Sequence, residues 1–206
     1  MTSGKLILVR HGESEYNADG VWTGVTNVDL TPKGHEDAWR MGAMLADVHF
    51  DRVYTSCMRR AEQTRDDLLA AHGATQAVLK KTAALNERDY GDFTGLDKWA
   101  IQMQIGKDAF RDIRRAFDAV IPNGESLRDV YERVVPWYCA NVVPALLAGE
   151  TVLIIGHGNS DRALRKYIEN VSDEATSHLE MDFDKAYIYD IALDGRCNGA
   201  AEVRQL

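Results

Sequence analysis

The chain has 206 residues, 45% of them hydrophobic and 27% charged, with a formal net charge of −8. That length suits one α/β domain, and the acidic balance argues against binding nucleic acid or acidic membranes through the overall field, so any anion site has to be local. No apolar run reaches the ~18 residues of a membrane span, and Cys57, Cys139 and Cys197 are odd in number, far apart and without a C-x-x-C, which predicts neither a disulfide framework nor a zinc site.

The first apolar run, "LILVR", is too short for a signal-peptide core; with the cysteine usage it points to a reducing cytoplasm. Lys5 to Arg10 predicts a buried parallel strand, because its apolar residues are contiguous and partly β-branched. His11 follows at its end, before a polar turn and a helix start. "LTPKGHEDAWRMGAMLADV" predicts an amphipathic helix with Thr31 as N-cap, Pro32 at the first position and Ala38, Met41, Leu45 and Val48 on one face. "DRVYTS" is a second strand, and "CMRRAEQTRDDLLAAHG" a helix ending at Gly73. "QAVLKKTAAL" reads as extended, and the Gly- and Asp-rich "NERDYGDFTGL" as a loop.

Residues 97 to 118 predict helix with a break near Gly106. Leu127, Val130, Val134, Tyr138, Val142 and Leu146 mark a further helix that Pro136 and Pro144 are expected to kink or split. Thr151 to Gly156 is another buried strand, Asn159 to Asn170 another helix, and "KAYIYDIAL" a strand near the C-terminus. The alternation predicts an α/β fold: a three-layer α/β/α sandwich with a mostly parallel sheet, one domain over residues 1–206. Residues 86–124 interrupt the alternation and are expected to form a helical and loop cap over the carboxyl ends of the strands, where ligands of such sheets lie.

Both "VRHGES" and "IGHGNS" place a histidine at such a carboxyl end. An imidazole can attack phosphorus with its unprotonated nitrogen and needs no separate base, provided cations and N–H groups offset the phosphoryl charge. Arg10 offers a planar fork, Ser14 and Asn17 can donate, Gly12 permits close backbone approach, and His157-Gly158-Asn159 adds a second imidazole with two backbone donors. Arg60 follows the second strand at the same end of the sheet, while its neighbour Arg59 reads as solvated surface. His35, His49, His72 and His178 show no metal-ligand spacing, so no metal is expected.

Together "RHGESEYN", "WTGVTNVDLTPKG", "YTSCMRRAEQT", "LNERDYGDFTGLDK", "IRRAF", "GESL" and "IIGHGNSDRAL" resemble the histidine phosphatase superfamily and, within it, the cofactor-dependent phosphoglycerate mutases. The resemblance implies that His11 becomes phosphohistidine, with Arg10, Arg60 and His157 around the transferring group and Glu87 as proton donor and acceptor. It further implies Thr23 and Gly24 on the substrate carboxylate, and Arg88, Tyr90, Lys98, Arg114 and Arg115 on the far end of a small phosphorylated carboxylic acid. The implied activity is interconversion of 3-phosphoglycerate and 2-phosphoglycerate, in glycolysis and gluconeogenesis, primed by 2,3-bisphosphoglycerate.

Two rivals stay open: a phosphomonoesterase using the same His11, and an inactive binding scaffold. The chain departs from the family pattern by lacking an insertion after the paired arginines, by Asp89 and Asp161, and by "EMDFDK" at 180–185, whose carboxylates are expected to weaken binding of phosphorylated acids. The oligomeric state is open, a homo-oligomer included.

Overall fold

The structure is a computed structural model that describes residues 4–206. Strand β1 (Lys5–Arg10) is followed by a single helical turn, α1 (Glu15–Ala18), and by α2 (Pro32–Met44), where Thr31 Oγ1 caps Gly34 N at 3.0 Å and Pro32 takes the first helical position. β2 (Arg52–Thr55) leads into α3 (Arg59–His72), which Gly73 terminates at φ 78°. β3 (Val78–Lys81) precedes two 3₁₀ turns, Ala83–Leu85 and Gly91–Phe93, then α4 (Lys98–Ile105) and α5 (Lys107–Arg115), divided at Gly106. The chain continues through α6 (Leu127–Asn141), α7 (Val143–Leu147), β4 (Val152–Gly156), α8 (Gly158–Ile168), the short α9 (Asp173–Thr176), β5 (Lys185–Asp190) and β6 (Glu202–Gln205). No helix among the described residues is long and apolar enough to cross a membrane.

The strands form one sheet in the order β3-β2-β4-β1-β5-β6. β3, β2, β4 and β1 run parallel, and β5 and β6 complete the sheet antiparallel. The central strands are apolar from Leu6 to Val9 and from Val152 to Ile155 because both faces are covered, and successive residues feed opposite layers. Leu6, Leu8, Val152 and Ile154 pack with residues of α6 and α8; Ile7, Val9, Leu153 and Ile155 pack with residues of α2 and α3. A third, smaller apolar cluster joins Trp22 to Ile101 and Phe110 of the segment expected to cap the site, backed by Tyr90 and Phe93.

Pro136 lies within α6, and the expected split comes before Pro144: α6 ends at Asn141, and Pro144 sits in the first turn of α7, where a missing N–H costs nothing. β6 was not predicted, because an exposed edge strand of four mostly polar residues carries little hydrophobic signal.

β1 and β4 are neighbours in register, with Arg10 opposite Gly156, and His11 N donates to Gly156 O at 3.0 Å. The two histidine corners are therefore held side by side by the central ladder of the sheet. Ile154, fully buried in β4, provides a measure of that packing. Ile154→Ala is expected to cost about 2–5 kcal/mol in urea denaturation.

Candidate active site

The His11 and His157 rings lie with centroids 4.8 Å apart, both almost wholly buried. His11 Nδ1 is 2.7 Å from Gly12 O, which only accepts, so Nδ1 carries the proton and Nε2 keeps its lone pair. Arg60 Nε donates toward that lone pair at 3.3 Å. Burial, followed by the charges of Arg60 and Arg10, holds the His11 pKa well below the usual imidazole range. Burial and Arg60 do the same to His157, whose Nε2 lies 2.7 Å from Ser56 Oγ and whose Nδ1 has no partner. The nucleophilic form of His11 is thus the resting form.

His11 opens onto a cavity of about 120 Å³, enough for on the order of ten waters, and so for a ligand of about that many heavy atoms. Its charged lining is Arg10, Arg60, Lys98, Arg114, Arg115 and Arg162 against two carboxylates, Glu87 and Glu180. In a protein of net charge −8, that is a local anion site. Buried polar atoms left without a partner around it are donors: Arg10 Nε, Trp22 Nε1 and Arg162 Nε. Such donors fit a ligand rich in acceptors, as bisphosphoglycerate is.

Each cation is positioned by the fold. Arg60, in the first turn of α3, donates to Thr26 O at 2.9 Å and Gly24 O at 3.1 Å, and burial lowers its pKa to about 10. Gly24 adopts φ 50°, and a side chain there would meet Thr94 Oγ1. Arg10 Nη1 donates to Met181 O at 2.9 Å while its guanidinium lies 3.8 Å over the Phe183 ring. Lys98, at the start of α4, has its pKa lowered to about 8 by burial, then by Arg114 and Arg10.

Glu87 Oε1 accepts from Arg88 N at 2.7 Å, Asn159 Nδ2 at 2.9 Å and Asn159 N at 3.2 Å. A methyl on Gly158 would stand 3.6 Å from both Glu87 Oε2 and Arg10 Cζ, which places this glycine between the two side chains. Asn159 Nδ2 also donates to Tyr90 Oη at 3.0 Å.

Of the residues singled out in the sequence, Asn17, Thr23, Gly24, Tyr90, Lys98, Arg114, Arg115, Gly158 and Asn159 line the cavity together with Arg10, His11, Arg60 and Glu87. Ser14 does not: fully buried, its Oγ donates to Asn17 Oδ1 at 2.8 Å and thereby orients a residue that does. Arg88 is also off the wall, donating to Ile113 O at 2.8 Å and stacking on Tyr90. Gly12 approaches Gly34 rather than a ligand, and its N–H goes to Thr64 Oγ1. Arg59 is exposed beside Asp29. Sequence reasoning missed Arg162, buried and donating to Arg115 O at 2.8 Å, Thr176 O at 2.9 Å and Asn159 Oδ1 at 3.2 Å; it ties the end of α5 to α8 and steadies the residue that holds Glu87. Its position one turn after Gly158 was the available signal.

Asp161 is fully buried behind Gly156 with neither carboxyl oxygen paired. Burial, then the proximity of Glu87, raises its pKa well above the usual aspartate value, while Arg10 and Arg165 oppose the shift. The unfolded chain loses this proton above about pH 4 and the folded chain retains it, so the group destabilises the fold increasingly as pH rises. Urea denaturation of Asp161→Asn is expected to show a stability advantage over wild type that grows between about pH 4 and 7 and vanishes at the acid end.

The sequence profile of the histidine phosphatase superfamily (branch 1) matches residues 6–203. The 2,3-bisphosphoglycerate-dependent phosphoglycerate mutase of Bartonella tribocorum is 41% identical over 186 residues, 89% of this chain and 90% of that protein. The protein of the same name from Xanthobacter autotrophicus is 39% identical over 203 residues, 98% of this chain and 97% of its own. Among solved structures, Bacillus stearothermophilus YhfR superposes with TM-score 0.84 at 27% identity, covering 97% of this chain and 96% of its own. The α-ribazole phosphatase of Shigella flexneri superposes with TM-score 0.78 at 26% identity over 98% of this chain and 95% of its own. The chain belongs to the histidine phosphatase superfamily.

Proposed function

We propose that the protein interconverts 3-phosphoglycerate and 2-phosphoglycerate through a phosphohistidine on His11. The observation that carries this reading is the lining of the cavity: about 120 Å³ of space onto which His11 opens, with Lys98, Arg114 and Arg115 among the cations of its wall. A three-carbon acid bearing phosphate and carboxylate suits that volume and that concentration of cations. The names of the relatives at about 40% identity agree with the reading.

In this mechanism 2,3-bisphosphoglycerate supplies the priming phosphoryl group. His11 Nε2 forms the bond to phosphorus in line with the departing oxygen, and Arg10 and Arg60 offset the equatorial charge. Glu87 delivers a proton to the departing alkoxide and takes one back when a substrate hydroxyl attacks phospho-His11. His157 packs against the reacting ring, Asn17 donates to the phosphoryl oxygens, and Thr23 and Gly24 meet the carboxylate. The cap bearing Lys98, Arg114 and Arg115 grips the far end and keeps water from phospho-His11; His11 itself is only 2% exposed. Tyr90, packed on Trp22 and bonded to Asn159, and Arg88, stacked on Tyr90, stiffen that wall. The protein would act in the cytoplasm on small phosphorylated acids, as a single domain capped by residues 86–124.

Hydrolysis by the same His11 is the rival, favoured by the phosphatase titles of solved relatives. Both rates measured on one preparation are expected to show mutase turnover well above phosphate release from the same phosphoglycerate; dominant phosphate release reverses the ranking. After exposure to 2,3-bisphosphoglycerate, the peptide containing "LVRHGESEYN" is expected to gain the mass of one phosphoryl group, and His11→Ala to lose both the label and the turnover.

Lys98 gives the reading a pH signature. With its pKa near 8 in the free protein, Lys98 is cationic below that value and neutral above it, so an anionic substrate binds less well as pH rises. KM for phosphoglycerate is expected to climb above about pH 8, by up to roughly tenfold per pH unit, as expected for loss of one essential proton. Lys98→Met is expected to raise KM at neutral pH and flatten that climb.

A further inference from the structure

Glu87 stands in a stretch of chain without a ladder of its own. Residues 86–90 run between the two 3₁₀ turns, outside any helix or strand, so their backbone carbonyls need partners from elsewhere. Arg133, midway along α6, supplies them. Its Nη1 donates to Ala84 O at 2.6 Å, and its Nη2 lies 3.0 Å from Asn86 O and 3.2 Å from Glu87 O. The remaining edge of the guanidinium pairs with Glu125, Nε donating to Oε1 at 2.8 Å and Nη2 to Oε2 at 2.9 Å. Glu125 carries the anchor past Glu87: its Oε2 accepts from Asp89 N at 2.9 Å, and its own N donates to Asp89 O at 2.9 Å. One ion pair thus grips the chain on both sides of Glu87.

The tip of Glu87 is held differently. Among the described residues its side-chain hydrogen bonds all fall on Oε1, from Arg88 N and from Asn159, which leaves Oε2, on the Gly158 and Arg10 side, as the oxygen open to a proton. We propose that Arg133, together with Glu125, is a positioning residue for proton transfer by Glu87, fixing the root of that side chain as Asn159 fixes its tip. The inference rests on the reading of Glu87 as proton donor given above. Neither Arg133 nor Glu125 borders the cavity, so their effect reaches the reaction through Glu87. Proton transfer needs the donor within hydrogen-bond reach of the departing oxygen, and a misplacement of about 1 Å costs on the order of a hundredfold in rate.

The experiment follows the first-order rate at which the His11 peptide gains a phosphoryl group from two donors, 2,3-bisphosphoglycerate and acetyl phosphate. In both, His11 Nε2 bonds to phosphorus while the bridging P–O bond breaks and its oxygen leaves with the electron pair. From bisphosphoglycerate that oxygen is an alkoxide, which takes the proton of Glu87; from acetyl phosphate it belongs to acetate, which is stable without one. Arg133→Met is therefore expected to slow labelling by bisphosphoglycerate about 10- to 100-fold and labelling by acetyl phosphate less than about threefold. Glu125→Gln, which keeps an acceptor for Asp89 N, is expected to shift the ratio the same way by a smaller factor, and it decides the matter if Arg133→Met yields no folded protein. Glu87→Gln separates the two readings. If it slows bisphosphoglycerate selectively while the Arg133 and Glu125 variants slow both donors alike, or neither, the pair is merely structural and the proposal is overturned. If Glu87→Gln itself fails to discriminate, Glu87 is not the proton donor, and the proposal falls with that reading. If bisphosphoglycerate does not label wild type, the proposed function falls, and glycerol 3-phosphate, whose departing oxygen is also an alkoxide, replaces it in the comparison. If acetyl phosphate does not label wild type, steady-state turnover decides: a fall in kcat at unchanged KM supports the proposal, and a rise in KM or no change refutes it.

Discussion

The parallel pairing of β1 with β4 is the constraint on which the site depends. Residues 11 and 157 are separated by most of the chain, yet the ladder that sets Arg10 against Gly156 and His11 N against Gly156 O leaves no other place for the two imidazoles. Because the strands are parallel, both emerge at the same edge of the sheet and both run directly into turns that lead to helices, α1 and α8. The apolar residues that bury these strands on both faces are therefore also what aligns the rings. Displacement of one strand by a single residue would exchange the side chains that feed the two layers, Leu6 and Leu8 for Ile7 and Val9, so the register is tied to the packing of both cores.

The cations around His11 are held in an unusual currency of partners. Arg60 is fixed by Gly24 O and Thr26 O, Arg10 by Met181 O, and Arg162 by Arg115 O and Thr176 O. Backbone carbonyls orient a guanidinium without cancelling its charge, whereas a carboxylate does both. The arginines consequently remain fully available to an anion, and burial shows in the lowered pKa of Arg10, Arg60 and Arg162. A cluster of this kind is unfavourable until a ligand arrives, as expected of a site organised for charge that the substrate brings with it. Arg115 is the exception, with a carboxylate beside it.

What could be read from the sequence divides along the same line. Strands such as Val152–Gly156 and the cap at Thr31-Pro32 are local features, written in contiguous apolar runs and in the chemistry of helix starts, and they appear where the residues indicate. The convergence of His11, His157 and Arg60 followed from three residues placed at strand ends, and Glu87, Arg114 and Arg115 were legible only through family resemblance. Ser14, Gly12 and Arg162 show what stays hidden. A serine hydroxyl beside a nucleophile looks like a ligand until its acceptor, Asn17 Oδ1, is known; a glycine beside it looks like room for phosphate until Gly34 is found in that room. Arg162 draws its role from carbonyls nearly fifty residues away, at the end of α5, and no periodicity encodes such a contact.

The empty pocket and the occupied one differ in electrostatic sign, and the imidazoles register the difference. Without a ligand, burial and the neighbouring guanidinium groups disfavour a proton on either ring, which leaves His11 Nε2 free to attack. A phosphoryl group brings negative charge into the same low-dielectric space, where its influence on a ring a few ångströms away is far larger than it would be in water. That charge opposes the arginines and favours proton-bearing nitrogens around the phosphoryl oxygens, among them His157, whose Nδ1 is unpaired beforehand. On the proposed mechanism, the same residues keep His11 deprotonated before the bond to phosphorus forms and become donors once it has formed.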